Sequence, residues 1–235
     1  MKISASYYSE IGGRDKNEDS VAILESGNAV LGIVADGLGG HSGGEIASKM
    51  AVRAVNSGLV GNPVGVVPFR TAVEQANEEI WENRGTTGMK STVAAVWFDD
   101  NAALAANVGD TRIYQFRDGE VIYQSRDHSM AQMAVRAGDI RPEEVRTCKE
   151  RHKLIRALGA QDEVCVDISH LELQTGDAIL ICSDGFWEKI RETEMAYDLA
   201  GEETAAGWLE KMRMRLNDRG AADDDNHSAV AILMK

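Results

Sequence analysis

Four short stretches of this sequence, 29–35 (AVLGIVA), 91–98 (STVAAVWF), 102–108 (AALAANV) and 178–182 (AILIC), are almost wholly apolar. Strands of that composition need cover on both faces, which excludes a single sheet open to water on one side. Two sheets packed face to face, with further elements outside them, meet the need. Strands are also predicted near 2–8, 20–24, 111–116, 120–124, 163–173 and 228–234, with Asp99-Asp100-Asn101 and Asp118-Gly119 as hairpin turns. Helical spacing predicts a helix over 44–57, with Ile46, Met50, Ala54 and Val55 on one face. It predicts another over 69–83, with Phe69, Ala72, Val73, Ala76 and Ile80 together. Two more helices are expected at 192–200 and 203–216, and residues 129–159 read as short charged helices without a strand. Hairpins with separate pairs of helices break the βαβ alternation of a parallel sheet. The class is therefore α+β, antiparallel sheets covered by helices.

With 43% hydrophobic residues and three prolines in 235 residues, one domain spanning 1–235 is expected. No run of about 18 apolar residues occurs, and Met1-Lys2-Ile3-Ser4 lacks the basic head and apolar body of a secretory signal. A cytoplasmic protein with no membrane contact is the expectation. Cys148, Cys165 and Cys182 are odd in number and form no CxxC pair, so they are read as reduced packing residues. A net charge of −13 argues against a nucleic-acid partner, which would require a basic surface.

The acidity becomes informative through its placement. Asp36-Gly37 follows 29–35, Gly109-Asp110 follows 102–108, Asp184-Gly185 follows 178–182, Asp225-Asn226 precedes 228–234, and Asp19 precedes 20–24. Any single Asp-Gly is an ordinary turn, and Asp99, Asp100 and Asp118 are read that way. Five aspartates at the ends of strands in one two-sheet core can instead meet at one spot. Carboxylates that meet repel one another unless a cation lies between them. Oxygen donors without a Cys or His cluster favour Mg²⁺ or Mn²⁺ over zinc, and the glycine at 37 lets a backbone carbonyl join the set. Two such ions about 3.5–4 Å apart activate a bridging water for in-line attack on phosphorus. Arg14 is the candidate for holding the phosphate through a bidentate guanidinium, against the alternative of an exposed structural ion pair.

The segments Arg14–Asp19, Val34–His41, Ser91-Thr92, Asn107–Arg112, Asp127–Ser129, Arg156–Gly159, Cys182–Gly185 and Asp225–Ser228 resemble, in order, the motif series of the metal-dependent protein phosphatases of the 2C type in their bacterial form. The resemblance implies a central β-sandwich flanked by helix pairs, in four α-β-β-α layers, and a mobile flap at 129–159. It implies a serine/threonine protein phosphatase with two core Mn²⁺ or Mg²⁺ ions. Its substrates would be proteins phosphorylated by a cognate serine/threonine kinase, and a monomer is expected. Position by position, Asp36 would bridge the two ions, Gly37 would bind one through its carbonyl, and Asp184 and Asp225 would bind the other. Asp19 would act mostly through water, Glu18 would orient waters, Arg14 would bind substrate phosphate, and Asp110 with Asp184 would hold a third ion.

Some positions depart from the pattern. Lys149 and His152 stand where many relatives have Pro and Asn. Leu38 replaces the His of eukaryotic relatives, leaving His41 as a candidate to assist leaving-group protonation. Lys90-Ser91-Thr92 replaces a glycine-threonine pair. Residues 141–156 carry six Lys/Arg against three Glu, an excess expected either to capture phosphoproteins or to form an ordinary solvated face. A catalytically silent binding module and a hydrolase of small phosphate esters are the alternatives. All five ligand aspartates and Arg14 are present, which disfavours the silent module, and the absence of a GxxxxGK[ST] loop disfavours a nucleotide-driven enzyme.

Overall fold

In the computed structural model, which describes residues 2–39, 43–86, 88–220 and 224–235, the chain opens with strands β1 (Ile3–Glu10), β2 (Asp19–Ser26) and β3 (Ala29–Leu38). Helices α1 (Gly43–Leu59) and α2 (Val66–Asn83) come next. A two-residue strand β4 (Lys90–Ser91) leads into β5 (Val93–Phe98), β6 (Ala103–Val108), β7 (Arg112–Arg117) and β8 (Glu120–Gln124). After α3 (Met130–Ala137) and a 3₁₀ turn at Pro142–Thr147 come β9 (Asp167–His170), β10 (Ala178–Cys182) and the single turn α4 (Asp184–Trp187). Helices α5 (Glu192–Leu199) and α6 (Ala205–Arg219) and strand β11 (His227–Met234) complete the order. The strands form two sheets, β1-β11-β10-β7-β8 and β2-β3-β5-β6-β9, and β4 pairs with the end of β3.

The period-two pattern of each central strand divides its side chains between two cores. From β3, Val30 and Val34 point into the space between the sheets and meet Ile179, Ile181, Val230 and Ile232 of the opposing sheet. Leu31, Ile33 and Ala35 point the other way, onto α1 and α2. On the far side Leu180 and Cys182 of β10 pack with Trp208 and Met212 of α6. Burying each such Leu or Ile is worth about 1.5–3 kcal/mol, and the layers α, β, β, α follow from doing so on both faces of both sheets.

Three local expectations are corrected. In α1 the buried face is Ala47, Ala51, Ala54, Val55 and Leu59, while Ile46 is half exposed. Small side chains let α1 lie close on β3, and the larger Ile46 is turned outward. The strand expected over 163–173 shrinks to β9, and the backbone just before it is met by α2 side chains, with only the Val166 carbonyl lying inside the expected span. Asn77 Nδ2 donates to the carbonyls of Gln161 (3.1 Å) and Asp162 (2.9 Å), and Arg70 Nη1 donates to that of Val166 (3.2 Å). Cys165 lies exposed on this segment, whereas Cys182 is in the core as expected.

Candidate active site

Antiparallel pairing carries the strand-end aspartates to one rim. Strand β3 runs antiparallel to β5 and β5 to β6, so the ends of β3 and β6 share a side. Asp19 begins β2 directly opposite Asp36 in register. In the other sheet the end of β10 lies beside the start of β11, bringing together the residues that follow Cys182 and those that precede His227. At this rim a cleft of about 380 Å³ is lined by every expected site residue except Asp19 and His41. Asp19 lies behind the cleft, 7% exposed. His41 lies outside the described residues.

Backbone contacts fix each position. Asp36 N donates to Thr92 Oγ1 (2.9 Å), and Thr92 N donates back to the Asp36 carbonyl (2.8 Å). Gly37 N donates to the Glu18 carbonyl (3.1 Å). A Cβ on Gly37 would stand 2.0 Å from the Gly44 carbonyl oxygen, so the first turn of α1 tolerates only glycine here. Ser183 Oγ donates to Asp19 Oδ2 (2.8 Å) and accepts from Ser228 N (3.0 Å), tying β2, β10 and β11 together. Asn226 does the same for the 11–18 loop: its Oδ1 accepts from Glu18 N (2.8 Å), and its Nδ2 donates to the carbonyls of Ile11 and Lys16. Arg14 Nη2 donates to Asp225 Oδ2 (2.7 Å), both side chains being about half exposed. The ion pair weighed against a phosphate role therefore exists, although its partner is itself a site residue.

The electrostatics are those of an incomplete charge set. Burial first, then Asp19, Asp184, Asp110 and Asp225, hold the Asp36 carboxyl well above the usual range. Asp110 is raised by burial and then by Asp184, and Asp225 by burial and then by Asp184. Asp19 is pushed up to about 7 by burial, against the lowering effect of its serine hydrogen bonds. Its Oδ1 is buried and has no hydrogen-bond partner among the described residues. Repelling carboxylates, an orphaned buried oxygen and an all-oxygen donor set fit hard divalent cations.

Sequence reasoning did not single out the scaffold beneath Asp110. Arg112 donates from Nε and Nη2 to both oxygens of Asp127 (2.8 and 2.7 Å), a bidentate pair buried at 5% and 2% side-chain exposure. The guanidinium lies 3.5 Å over the Trp187 ring, and Trp187 Nε1 donates to the Asp110 carbonyl (2.9 Å). His128 Nδ1 accepts from Gly109 N (3.0 Å), with Asp167 3.2 Å from its Nε2, so burial keeps the ring neutral and the Gly109-Asp110 turn is clamped. The signal in the sequence was an arginine at the start of a strand, two residues after Asp110.

The basic excess over 141–156 is mostly consumed within the fold. Arg146 pairs with Glu192 (2.6 Å), Arg151 with Glu188 (2.6 Å), Arg156 with Asp167 (2.7 Å), Lys153 with Glu150 (2.5 Å) and Arg141 with Glu144 (3.2 Å). Among the described residues Lys149 alone of the six makes no ion pair, so the expected capture patch reduces to one side chain.

Comparison with known proteins agrees with this geometry. A family signature described as protein phosphatase 2C matches residues 8–225. The serine/threonine phosphatase stp of Listeria monocytogenes is 31% identical over 222 residues, covering 90% of this chain and 88% of that protein. The solved serine/threonine phosphatase of S. agalactiae superposes with a TM-score of 0.89 at 27% identity, covering all of both chains. The catalytic domain of the serine/threonine protein phosphatase PstP, solved with two manganese ions, gives 0.81 at 29% identity, covering 98% of this chain and 97% of that one.

Proposed function

The chain belongs to the protein phosphatase 2C family, and from that premise we propose how its own residues divide the hydrolysis of phosphoserine and phosphothreonine. It is a metal-dependent serine/threonine protein phosphatase that acts on phosphorylated proteins with Mn²⁺ or Mg²⁺. Asp36, Asp184, Asp225 and the Gly37 carbonyl would hold the two core cations, with Asp36 common to both; Asp19 would contribute through water, and Asp110 with Asp184 would take a third. When bound, the cations neutralise the converging carboxylates and supply the Lewis acidity that makes water a nucleophile near neutral pH.

Every other role falls to side chains at the cleft. Glu18, its carboxyl raised by burial and by Asp225, orients water above the carboxylates. Arg14 stands at the mouth, where the pair with Asp225 occupies one guanidinium nitrogen and leaves further donors for phosphate oxygens. Residues 129–159 act as a flap, since His152 and Leu154 from that segment line the cleft. The rest of the chain, 1–235, acts as a single catalytic domain.

A serine/threonine kinase is the partner that such an activity opposes. The two most exposed large apolar residues, Val67 and Tyr197, lie on separate elements, which supports a monomer. Three free cysteines accord with a cytoplasmic setting. Among the described residues no helix is long and apolar enough to cross a membrane.

The observation that carries this reading is the meeting of five aspartates from five chain positions at one rim, with Asp19 Oδ1 lacking a partner among the described residues. The test is hydrolysis of a phosphothreonine peptide in EDTA, Mg²⁺ or Mn²⁺, beside Asp184→Asn. Turnover that requires the ion and disappears in the variant is expected. Turnover in EDTA, or full turnover in the variant, overturns it.

A further inference from the structure

The stretch Lys90-Ser91-Thr92 departs from the family's motif series, and the fold puts its lysine on the wall of the cleft. Strand β4 pairs antiparallel with the end of β3, with Ser91 opposite Gly37 and Lys90 opposite Leu38. Residues directly opposite in such a pair show their side chains on the same face, as do residues two apart along one strand. Asp36, Leu38 and Lys90 therefore share the face that carries the Asp36 carboxyl into the cleft, and Leu38 lines the cleft beside it.

The opposite face is closed. A Cβ on Gly37 would run into the Gly44 carbonyl at the start of α1. Ser91 is fully buried, with its backbone hydrogen-bonded both ways to Leu158 (3.1 and 2.8 Å), and Met89 is buried too. Lys90, between them, is exposed. Among the described residues it makes no ion pair, whereas Arg14 is engaged by Asp225, Arg146 by Glu192 and Arg151 by Glu188. A lysine beside a cleft crowded with carboxylates, yet held by none of them, is left to take a negative group from outside the chain.

We propose that Lys90 is a specificity-determining residue of the phosphatase, taking the carboxylate of an aspartate or glutamate about two residues from the phosphorylated serine or threonine. The spacing comes from the strand. Leu38 lies two residues, about 6.5 Å, beyond Asp36, and two residues of an extended substrate cover the same distance. A phosphate processed over Asp36 therefore sets a side chain two residues away over Leu38 and Lys90. The ammonium on its flexible four-carbon stem is a point charge without a fixed fork, so it selects for charge and tolerates either acidic side chain. This role rests on the phosphatase reading, which puts the phosphate over Asp36, and adds to it a class of preferred sequences.

The test uses three phosphothreonine peptides that differ only in carrying Glu, Ala or Lys at the positions two residues before and after the phosphothreonine. In Mn²⁺ the wild type should show a kcat/KM for the Glu peptide about two- to fivefold above that for the Ala peptide, the worth of one solvent-exposed ion pair. The difference should lie mostly in KM, because a flanking contact is the same before and during the chemistry. Salt at about 0.5 M should remove most of it. Lys90→Arg should keep the preference, Lys90→Ala should lose it, and Lys90→Glu should turn it toward the Lys peptide. Ion-dependent turnover by the wild type without a Glu preference, or a Glu preference that survives in Lys90→Ala, overturns the role of Lys90 and leaves the phosphatase reading intact. No turnover of any of the three peptides in Mn²⁺ overturns both.

Discussion

Two buried charged clusters share one end of this sandwich and are built on opposite plans. Arg112 and Asp127 are both almost fully buried, yet each meets the other through two hydrogen bonds, and Trp187 covers the guanidinium. A few residues away Asp19, Asp36 and Asp110 are also buried, but they face more carboxylates, and one oxygen has no partner among the described residues. The first cluster is complete and holds the Gly109-Asp110 turn in place. The second is completed only by something positive from outside the chain, and this marks it as the place of work.

The sharpest way to break the comparison is Asp36→Asn. Its kcat on a phosphothreonine peptide should fall about 10³-fold or more, the loss of several kcal/mol of transition-state stabilisation. The same change should raise the melting temperature of the metal-free protein, because it removes one of the repelling charges. A lower melting temperature in EDTA would place Asp36 in a satisfied network like that of Asp127.

Arg112→Met should do the reverse. It strands Asp127 in the core and should cost about 3–5 kcal/mol in urea unfolding. The pair Arg112→Met with Asp127→Leu should recover much of that cost. A single variant within about 1 kcal/mol of wild type would show that the pair is not complete in the sense described.

Third is the pH dependence of the metal-free protein. Asp19 is pushed up to about 7 in the fold against about 3.9 in an unfolded chain, so the folded state binds its proton more tightly. Its favourable contribution is full below the unfolded value and is lost as pH rises through the folded one; Asp36 and Asp110 act in the same direction. Calorimetry in EDTA should therefore show stability falling by a few kcal/mol between roughly pH 4 and 7. Saturating Mn²⁺ should offset most of that fall. A melting temperature that climbs over this window without metal would contradict the crowding of the carboxylates.

The smallest expected effect is at the rim. Arg14→Lys should raise KM for the phosphopeptide by about tenfold, with a smaller change in kcat, because a bidentate fork becomes a point charge. An unchanged KM would leave Arg14 as only the partner of Asp225.

The layers and the site aspartates were legible because their signals are local. A strand buried on both faces must be apolar throughout, and 29–35, 91–98, 102–108 and 178–182 state that in the residues themselves. The face of α2 follows from helical spacing alone, and all five residues read onto it are buried. An aspartate beside the end of such a strand is placed at a rim by the same reading, and the ordered motifs then identify the family.

What only the tertiary structure decided depends on partners distant in sequence. The basic excess of 141–156 could not be known to be neutralised, since Glu188, Glu192 and Asp167 lie outside that segment. Within the strand foreseen at 163–173, the Val166 carbonyl is taken by the Arg70 side chain from a helix 96 residues earlier. Asn226, Ser183 and the Arg112–Asp127 pair act by bridging elements that only the sheet order brings together. Composition fixes whether a residue can be buried. Which charge it meets there is set by the packing of strands and helices from remote parts of the chain.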